Sequence, residues 1–82
     1  MAHLPRISTH AEHHLKEAIR IAGQINARGV KGQALLDLGR LYHARKRSDL
    51  ALPPIRESIS LFAQLGADEH LKRAKAALRL LS

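Results

Sequence analysis

The sequence has no cysteine and very few aromatic residues. Without cysteine the chain cannot form a disulfide framework, a thiolate metal site or a cysteine nucleophile. Tyr42 and Phe62 are the two aromatic residues. The core must therefore be built from aliphatic side chains, and no aromatic platform exists on which nucleic-acid bases could stack. A chain rich in Ala, Leu, Ile, Arg and Lys favours helices over strands.

The chain also lacks a long apolar run. No stretch approaches the roughly 20 apolar residues of a membrane-spanning helix, and residues 1–6 do not resemble the apolar start of a signal peptide. We therefore expect a cytoplasmic protein that does not contact a membrane. With 82 residues it has room for one small domain, near the size at which a single core barely offsets the conformational entropy of the chain.

The sequence does contain an internal repeat with an offset of 40 residues, because residues 8–41 match residues 48–81. The identical pairs are Ser8/Ser48, Ala11/Ala51, Glu17/Glu57, Ile19/Ile59, Gln24/Gln64, Ala27/Ala67, Ala34/Ala74, Leu38/Leu78 and Leu41/Leu81. Most matched positions are apolar or small, so the repeat preserves a packing surface and not a reaction centre. A period of this length is typical of stacked repeat architectures.

Four segments show the spacing of apolar residues, at three and four positions, that is typical of amphipathic helices. The first is predicted over residues 8–28. Ser8 or Thr9 would cap its N-terminus, with Glu12 placed to complete a capping box, and Gly29 would end it.

The second helix is predicted from about Val30 or Lys31 to Arg45, and the other two over residues 53–65 and 68–81. Two features of the sequence predict different starts for the third helix. The repeat places its start at Ser48, but Pro53 and Pro54 would then lie beyond the first turn, where a proline costs about 3 kcal/mol or more. We therefore expect this helix to begin at Pro53, with residues 48–52 as a loop or one irregular turn, and to end at Gly66.

The second and third segments resemble the tetratricopeptide repeat. Its W-x2-L-G-x2-Y pattern corresponds here to Leu35, Leu38, Gly39 and Tyr42. Its later A-x3-F pattern corresponds to Ala51 and Ile55. Leucine replaces the tryptophan, and the period exceeds the usual length of about 34 residues. The chain is similar in this respect to the C-terminal helical arrays of large bacterial signalling proteins that carry ATPase or adenylate cyclase modules. In such a hairpin Gly39 lets the two helices approach closely, and Tyr42 fills the space beside it.

The resemblance implies an all-α fold in which antiparallel helical hairpins stack as a short solenoid. Residues 8–82 would form a half repeat, a full repeat and a capping helix, and residues 1–7 would be disordered. The first helix would then lack a hairpin partner, which leaves one of its apolar sides uncovered. Either the chain is the tail of a longer array, or a second chain covers that side. We expect a homodimer, with exchange of helices through residues 46–52 as one route. The residues assigned to self-association are Leu15, Ile19 and Ile21.

The inner, concave side of such a stack is the predicted partner-binding surface. In the repeats that this chain resembles, the first helix of each hairpin lines that groove. The residues assigned to it are Gln33, Leu36, Arg40, His43, Arg73 and Leu80. This mixture suits a peptide with apolar anchors and acidic groups, because arginine pairs well with carboxylates. As an alternative, Leu36 and Leu80 pack against each other or against a second copy of the chain.

The net charge is +7, from 14 Lys and Arg against seven Asp and Glu. A net positive charge of this size is typical of proteins that bind nucleic acid. Residues 45–47 form the densest basic cluster. However, the basic residues are otherwise spread over all four predicted helices, and no DNA-reading pattern is recognisable. A solvated basic surface or an acidic protein partner is therefore favoured over nucleic acid.

His10, His13 and His14 form a histidine cluster in the first helix. The spacing of His10 and His14 would allow both imidazoles to bind one transition metal ion. The second copy of the repeat has no histidine at the corresponding positions, and two ligands fall short of a full coordination shell. We therefore expect solvent-facing histidines and neither a metal nor another cofactor.

No pattern of a catalytic site is recognisable. The serines lie in no nucleophile-elbow context, the glycines form no phosphate-binding loop, and no pair of carboxylates is placed for acid–base chemistry. We therefore expect a non-catalytic module that binds a protein or an acidic peptide and self-associates. The alternatives are a purely structural homo-oligomerisation domain and, third, a basic nucleic-acid accessory protein.

Overall fold

The computed structural model describes the backbone of residues 3–81 and the side chains of residues 10–81. This part of the chain contains four helices and no strand. The helices are α1 (His3–Gln24), α2 (Arg28–Ala44), α3 (Ser48–Leu65) and α4 (Asp68–Leu80). The predicted all-α class is therefore confirmed, and the predicted bounds of α2 and α4 are correct to within three residues.

The three connections between the helices share one geometry. Each contains a residue with a positive φ, namely Asn26 (59°), Lys46 (61°) and Gly66 (67°). The N–H of the next residue donates to a carbonyl five residues back, with N···O distances of 2.8, 2.9 and 3.0 Å. This left-handed turn satisfies carbonyl groups that a helix end leaves unpaired. Because the turns recur every 20 residues, each copy of the repeat consists of two equivalent helix–turn units.

Asn26 determines where α1 ends. The end was predicted near Arg28, before Gly29, but α1 ends at Gln24 and Arg28 is already the first residue of α2. The prediction was wrong because an asparagine occupies the left-handed position. Asparagine visits this conformation more readily than most residues, since its short polar side chain can form a local hydrogen bond.

The start of α1 also differs from the prediction. The helix begins at His3, so the predicted cap at Ser8 or Thr9 is wrong, and residues 3–7 belong to the helix. Residues 1 and 2, which are part of the segment predicted to be disordered, lie outside the described residues.

The predicted start of α3 at Pro53 is wrong, because the helix begins at Ser48. The N–H groups of Leu50 and Ala51 donate to the carbonyl of Arg47 at 3.1 and 3.0 Å. Ala51 is completely buried, so packing against the rest of the core stabilises this first turn.

The two prolines of α3 are tolerated because of where the lost hydrogen bonds lie. Pro53 and Pro54 cannot donate to the carbonyls of Asp49 and Leu50, their partners four residues back. Asp49 and Leu50 are both exposed, so water can satisfy those carbonyls. The cost of the prolines is therefore smaller than in a buried helix interior.

Two glycines set the distance between α2 and α3. A Cβ atom built on Gly39 would lie 2.9 Å from Ile55 Cδ1 and 3.2 Å from the carbonyl oxygen of Ala51. A Cβ atom on Gly32 would lie 2.8 Å from Phe62 Cε1. The close approach predicted at Gly39 is confirmed. Gly32 has the same role about two helical turns earlier in α2. The contacts run in opposite order along the two helices, which are therefore antiparallel.

α2 is the central element of the described structure. It packs against α1, α3 and, less extensively, α4, whereas α1 packs against α2 alone among the described helices. α4 also packs against α3, so α2 and α4 lie side by side on α3. The core that joins α2, α3 and α4 contains Leu36, Leu38, Tyr42, Ala51, Ile55, Phe62, Ala74 and Ala77.

Candidate binding cleft

A cleft of about 170 Å³ opens between α2 and α4, above α3. It is lined by Arg40, His43, Ile55, Arg73, Ala76, Ala77 and Leu80. Ile55 and Ala77 are buried and form the floor, His43 is half-buried, and the other four side chains are exposed. Because a cavity of about 150 Å³ can hold a benzene ring, this α2–α4 cleft has room for one apolar side chain.

The cleft exists because α4 carries small residues where it faces α2. α2 and α4 begin 40 residues apart, at Arg28 and Asp68, so they share the register of the repeat. At one matched position α2 has Leu36 and α4 has Ala76. The methyl group of Ala76, beside that of Ala77, leaves space that a larger side chain would fill.

The cleft is positively charged. Arg40 and Arg73 lie on opposite walls, and no acidic side chain of the described residues lines the space between them. Among the described residues, the carboxylate oxygen nearest to Arg40 is that of Asp37, at 4.0 Å, and the Arg40 side chain remains 51% exposed. Leu80 is 69% exposed at the rim. The surface of the cleft therefore combines two guanidinium groups with the exposed side chain of one leucine.

Four of the six residues predicted to bind a partner line this cleft, namely Arg40, His43, Arg73 and Leu80. Leu36 was also predicted to be exposed in the groove, and this prediction is wrong, because its side chain is completely buried. α4 packs against α2 as well as α3, and Leu36 belongs to the same apolar cluster as Ala74 and Ala77. The alternative pairing of Leu36 with Leu80 is not supported either, since Leu80 is largely exposed.

Gln33 does not line the cleft. It is half-buried, and its side-chain nitrogen donates to Asp37 Oδ1 at 2.9 Å. Three other residues line the cleft without being among the six assigned to it, namely Ile55, Ala76 and Ala77. Ile55 could be recognised only as a core position, and the sequence pattern alone does not show which core residues are visible from the surface.

The residues predicted for self-association lie on α1. Leu15 and Ile19 are half-buried and pack against the core, so part of their apolar surface is already covered within the chain. Ile21 is 46% exposed and Ile25, which was not predicted, is 69% exposed. Ile21 lies on α1, which contacts only α2 among the described helices, and Ile25 lies in the turn between α1 and α2.

A polar cluster joins α1 to α2. Tyr42 donates from its hydroxyl to Glu12 Oε2 at 2.8 Å, and Arg45 donates to Glu12 Oε1 at 2.7 Å. Lys16 Nζ lies 3.1 Å from Glu12 Oε2. These hydrogen bonds, from Arg45 first and then Tyr42 and Lys16, lower the pKa of Glu12 to about 2. The predicted capping role of Glu12 is wrong, because its carboxylate connects two helices instead.

The densest basic cluster of the sequence is largely paired within the chain. Arg45 is bound to Glu12 at 2.7 Å, and Arg47 is bound to Asp49 at 3.0 Å. Lys46, in the turn between α2 and α3, is the residue that adopts a positive φ. Two of the three cations are thus committed to neighbouring carboxylates, which weakens the case for a phosphate-binding patch at residues 45–47.

His10, His13 and His14 are exposed on α1. The ring centroids of His10 and His14 are 6.5 Å apart, and those of His13 and His14 are 5.9 Å apart. Within the described residues, no group of three or more histidine, aspartate or glutamate side chains is gathered around a potential metal position.

None of the described helices combines the length and the apolar character that crossing a membrane requires. In comparisons with known proteins, the chain matches no protein-family model, no curated protein and no solved structure.

Proposed function

We propose that this chain is a non-catalytic helical-hairpin module of the tetratricopeptide type, and that its α2–α4 cleft binds an acidic peptide segment with one apolar anchor. Support for the repeat type comes from the equivalent left-handed turns at Asn26, Lys46 and Gly66. The close approach of α2 and α3 at Gly39 also supports it.

The observation that carries the proposal is the composition of the cleft. An apolar side chain of the ligand would lie on Ile55 and Ala77, with Leu80 closing one side. Carboxylates on either side of that anchor would pair with Arg40 and Arg73, whose planar guanidinium groups suit carboxylate oxygens. The exposure of both arginines means that such contacts are weakened by salt.

A direct test uses a fluorescein-labelled peptide with the sequence Gly-Glu-Glu-Leu-Glu-Glu-Gly and its all-glutamine counterpart. We expect the glutamate peptide to bind the chain and the glutamine peptide to bind much more weakly. Arg40→Glu should raise the Kd at least about tenfold, because it removes a charge-assisted contact and adds a like charge.

Lys72→Glu is the matched control, since it changes the net charge equally. The Lys72 side chain is 78% exposed on α4 and does not line the cleft. Equal losses for Arg40→Glu and Lys72→Glu would show that the peptide senses only the overall charge, and the proposed cleft would be rejected.

A purely structural role in homo-oligomerisation is the second candidate. The observation in its favour is the exposure of Ile21 on α1 and of Ile25 in the turn that follows it, at 46% and 69%. If this role is correct, Ile21→Glu should dissociate an oligomer in sedimentation velocity, whereas Arg40→Glu should leave it intact. A monomer at all concentrations would remove this candidate and leave peptide binding unaffected.

A further inference from the structure

A second cleft, of about 360 Å³, lies between α3 and α4, on a different face of α4 from the first. It is lined by Ser48, Leu52, Arg56, Leu78 and Leu81. Three of these side chains are leucines, and Arg56 is exposed. This α3–α4 cleft is mainly apolar and has one cation at its edge.

The internal repeat shows what fills the equivalent space in the first half of the chain. The residues 40 positions earlier are Ser8, Glu12, Lys16, Leu38 and Leu41. Tyr42 follows them on α2, is only 7% exposed, and reaches α1 with its hydroxyl 2.8 Å from Glu12 Oε2. A phenol ring thus occupies the space between α1 and α2.

The second half of the chain has no ring at the matching position. The residue 40 positions after Tyr42 is Ser82, and the α3–α4 cleft is open. Its volume of about 360 Å³ exceeds the roughly 150 Å³ of a cavity that holds benzene. The cleft therefore has the size and the apolar walls for an aromatic ring.

The polar end of this space differs between the two halves. Leu52 stands at the position of Glu12, so none of the described lining residues carries a carboxylate that could accept from a phenol hydroxyl. Arg56 stands at the position of Lys16 and has no ion-pair partner among the described residues. A ring that enters here would meet a hydrogen-bond donor, so an acceptor beside the ring is favoured over a donor.

We propose that the α3–α4 cleft binds a phenylalanine side chain of a partner polypeptide, with the carboxylate of an adjacent aspartate on Arg56. The ring would take the place that Tyr42 holds in the first half of the chain, between Leu52 of α3, Leu78 of α4 and Leu81 just after α4. This site is separate from the α2–α4 cleft and does not depend on the function proposed for it.

The test is an NMR titration of the ¹⁵N-labelled chain with the peptide acetyl-Gly-Phe-Asp-Gly-amide. We expect saturable shifts of the amides of Leu52, Arg56 and Leu78, with a Kd on the order of 1 mM. The peptide with asparagine in place of aspartate should bind about three- to tenfold more weakly. The peptide with alanine in place of phenylalanine should cause no saturable shift.

Three variants locate the site. Leu52→Trp fills the cleft with an indole and should abolish binding, and Arg56→Gln should weaken binding as much as the asparagine peptide does. Arg73→Gln, in the α2–α4 cleft, should have no effect. Should Leu52→Trp fail to fold, Arg56→Gln and the peptide series still decide the question.

Two results would overturn this assignment. One is the lack of saturable shifts at residues 52, 56 and 78 up to about 10 mM peptide, a concentration well above the expected Kd. The other is a loss of affinity in Arg73→Gln and not in Arg56→Gln, which would place the phenylalanine peptide in the first cleft.

Discussion

At the scale of single residues, the glycines of α2 have the clearest consequences. Gly39 and Gly32 lie where α2 meets Ile55 and Phe62 of α3. The role of Gly39 could be predicted from the resemblance of Leu38, Gly39 and Tyr42 to the L-G-x2-Y pattern of the tetratricopeptide repeat. The role of Gly32 could not, because its partner Phe62 lies far along the chain and no local pattern connects them.

Replacing Gly39 with alanine should destabilise the fold. The new methyl group would overlap Ile55 and approach the backbone of Ala51, and overpacking of this kind costs about 1–3 kcal/mol, which outweighs the helix-propensity gain of about 1 kcal/mol. Gly23→Ala in α1 is the control, because its added Cβ would meet nothing within 4 Å apart from its chain neighbours and the local backbone of α1. Urea unfolding should show a lower stability for Gly39→Ala and a slightly higher stability for Gly23→Ala. A Gly39→Ala variant as stable as the parent would contradict the close approach.

Glu12 should stabilise the fold in a pH-dependent way. Its pKa is lowered from 4.5 to about 2 by Arg45, Tyr42 and Lys16. A carboxyl group with a depressed pKa stabilises the folded state above its unfolded pKa, and this stabilisation is lost as the pH falls towards 2.

The test of this prediction is urea unfolding of Glu12→Gln between pH 7 and pH 3. We expect a loss of about 1 kcal/mol at pH 7, less than the full pKa shift implies because solvent screens the partly exposed cluster, and a smaller loss at pH 3. Glu17→Gln removes only the exposed pair with Arg20 and should change little. A loss for Glu12→Gln that is independent of pH would argue against an ionic contribution.

At the scale of the elements, the sequence predicted helix faces better than helix ends. Apolar spacing located α2 and α4 because their inward positions recur every three or four residues. The end of α1 was misplaced because Asn26 takes the left-handed position that glycine takes at Gly66. The start of α3 was misplaced because the burial of Ala51 outweighs a local rule about proline.

Lys46 provides a test of the shared turn geometry. It adopts a φ of 61°, which costs a lysine roughly 1–2 kcal/mol and glycine almost nothing. We therefore expect Lys46→Gly to raise the free energy of unfolding by about 1 kcal/mol. Lys75→Gly makes the same substitution inside α4 and should lower it by a similar amount. Thermal and urea unfolding of both variants will measure the contrast, and a destabilised Lys46→Gly would show that the turn is not left-handed.

At the scale of the whole molecule, the two ends of the helix stack differ. On α2, Gly32, Leu35 and Gly39 occupy one face, and both glycines pack on α3. The residues 40 positions later on α4 are Lys72, Lys75 and Arg79. Large charged side chains thus replace the small and apolar ones that helix packing requires there. This face of α4 is therefore polar, whereas Ile21 on α1 and Ile25 in the turn after it are exposed apolar residues.

Part of the candidate site could be predicted from the internal repeat. Arg40, His43, Arg73 and Leu80 share one surface because the repeat places α2 and α4 in the same register, and that register is visible in the sequence. The depth of the cleft could not be predicted from the sequence, because it depends on how closely α4 approaches α2. That distance decides that Leu36 is buried and that Ala76 lines an open space.

The most direct test of the central claim is to locate an acidic peptide on the chain by NMR. In a titration of the ¹⁵N-labelled chain with Gly-Glu-Glu-Leu-Glu-Glu-Gly, the largest saturable shifts should fall on Arg40, His43, Arg73 and Leu80. Largest shifts on α1, or uniform shifts that do not saturate, would contradict the account.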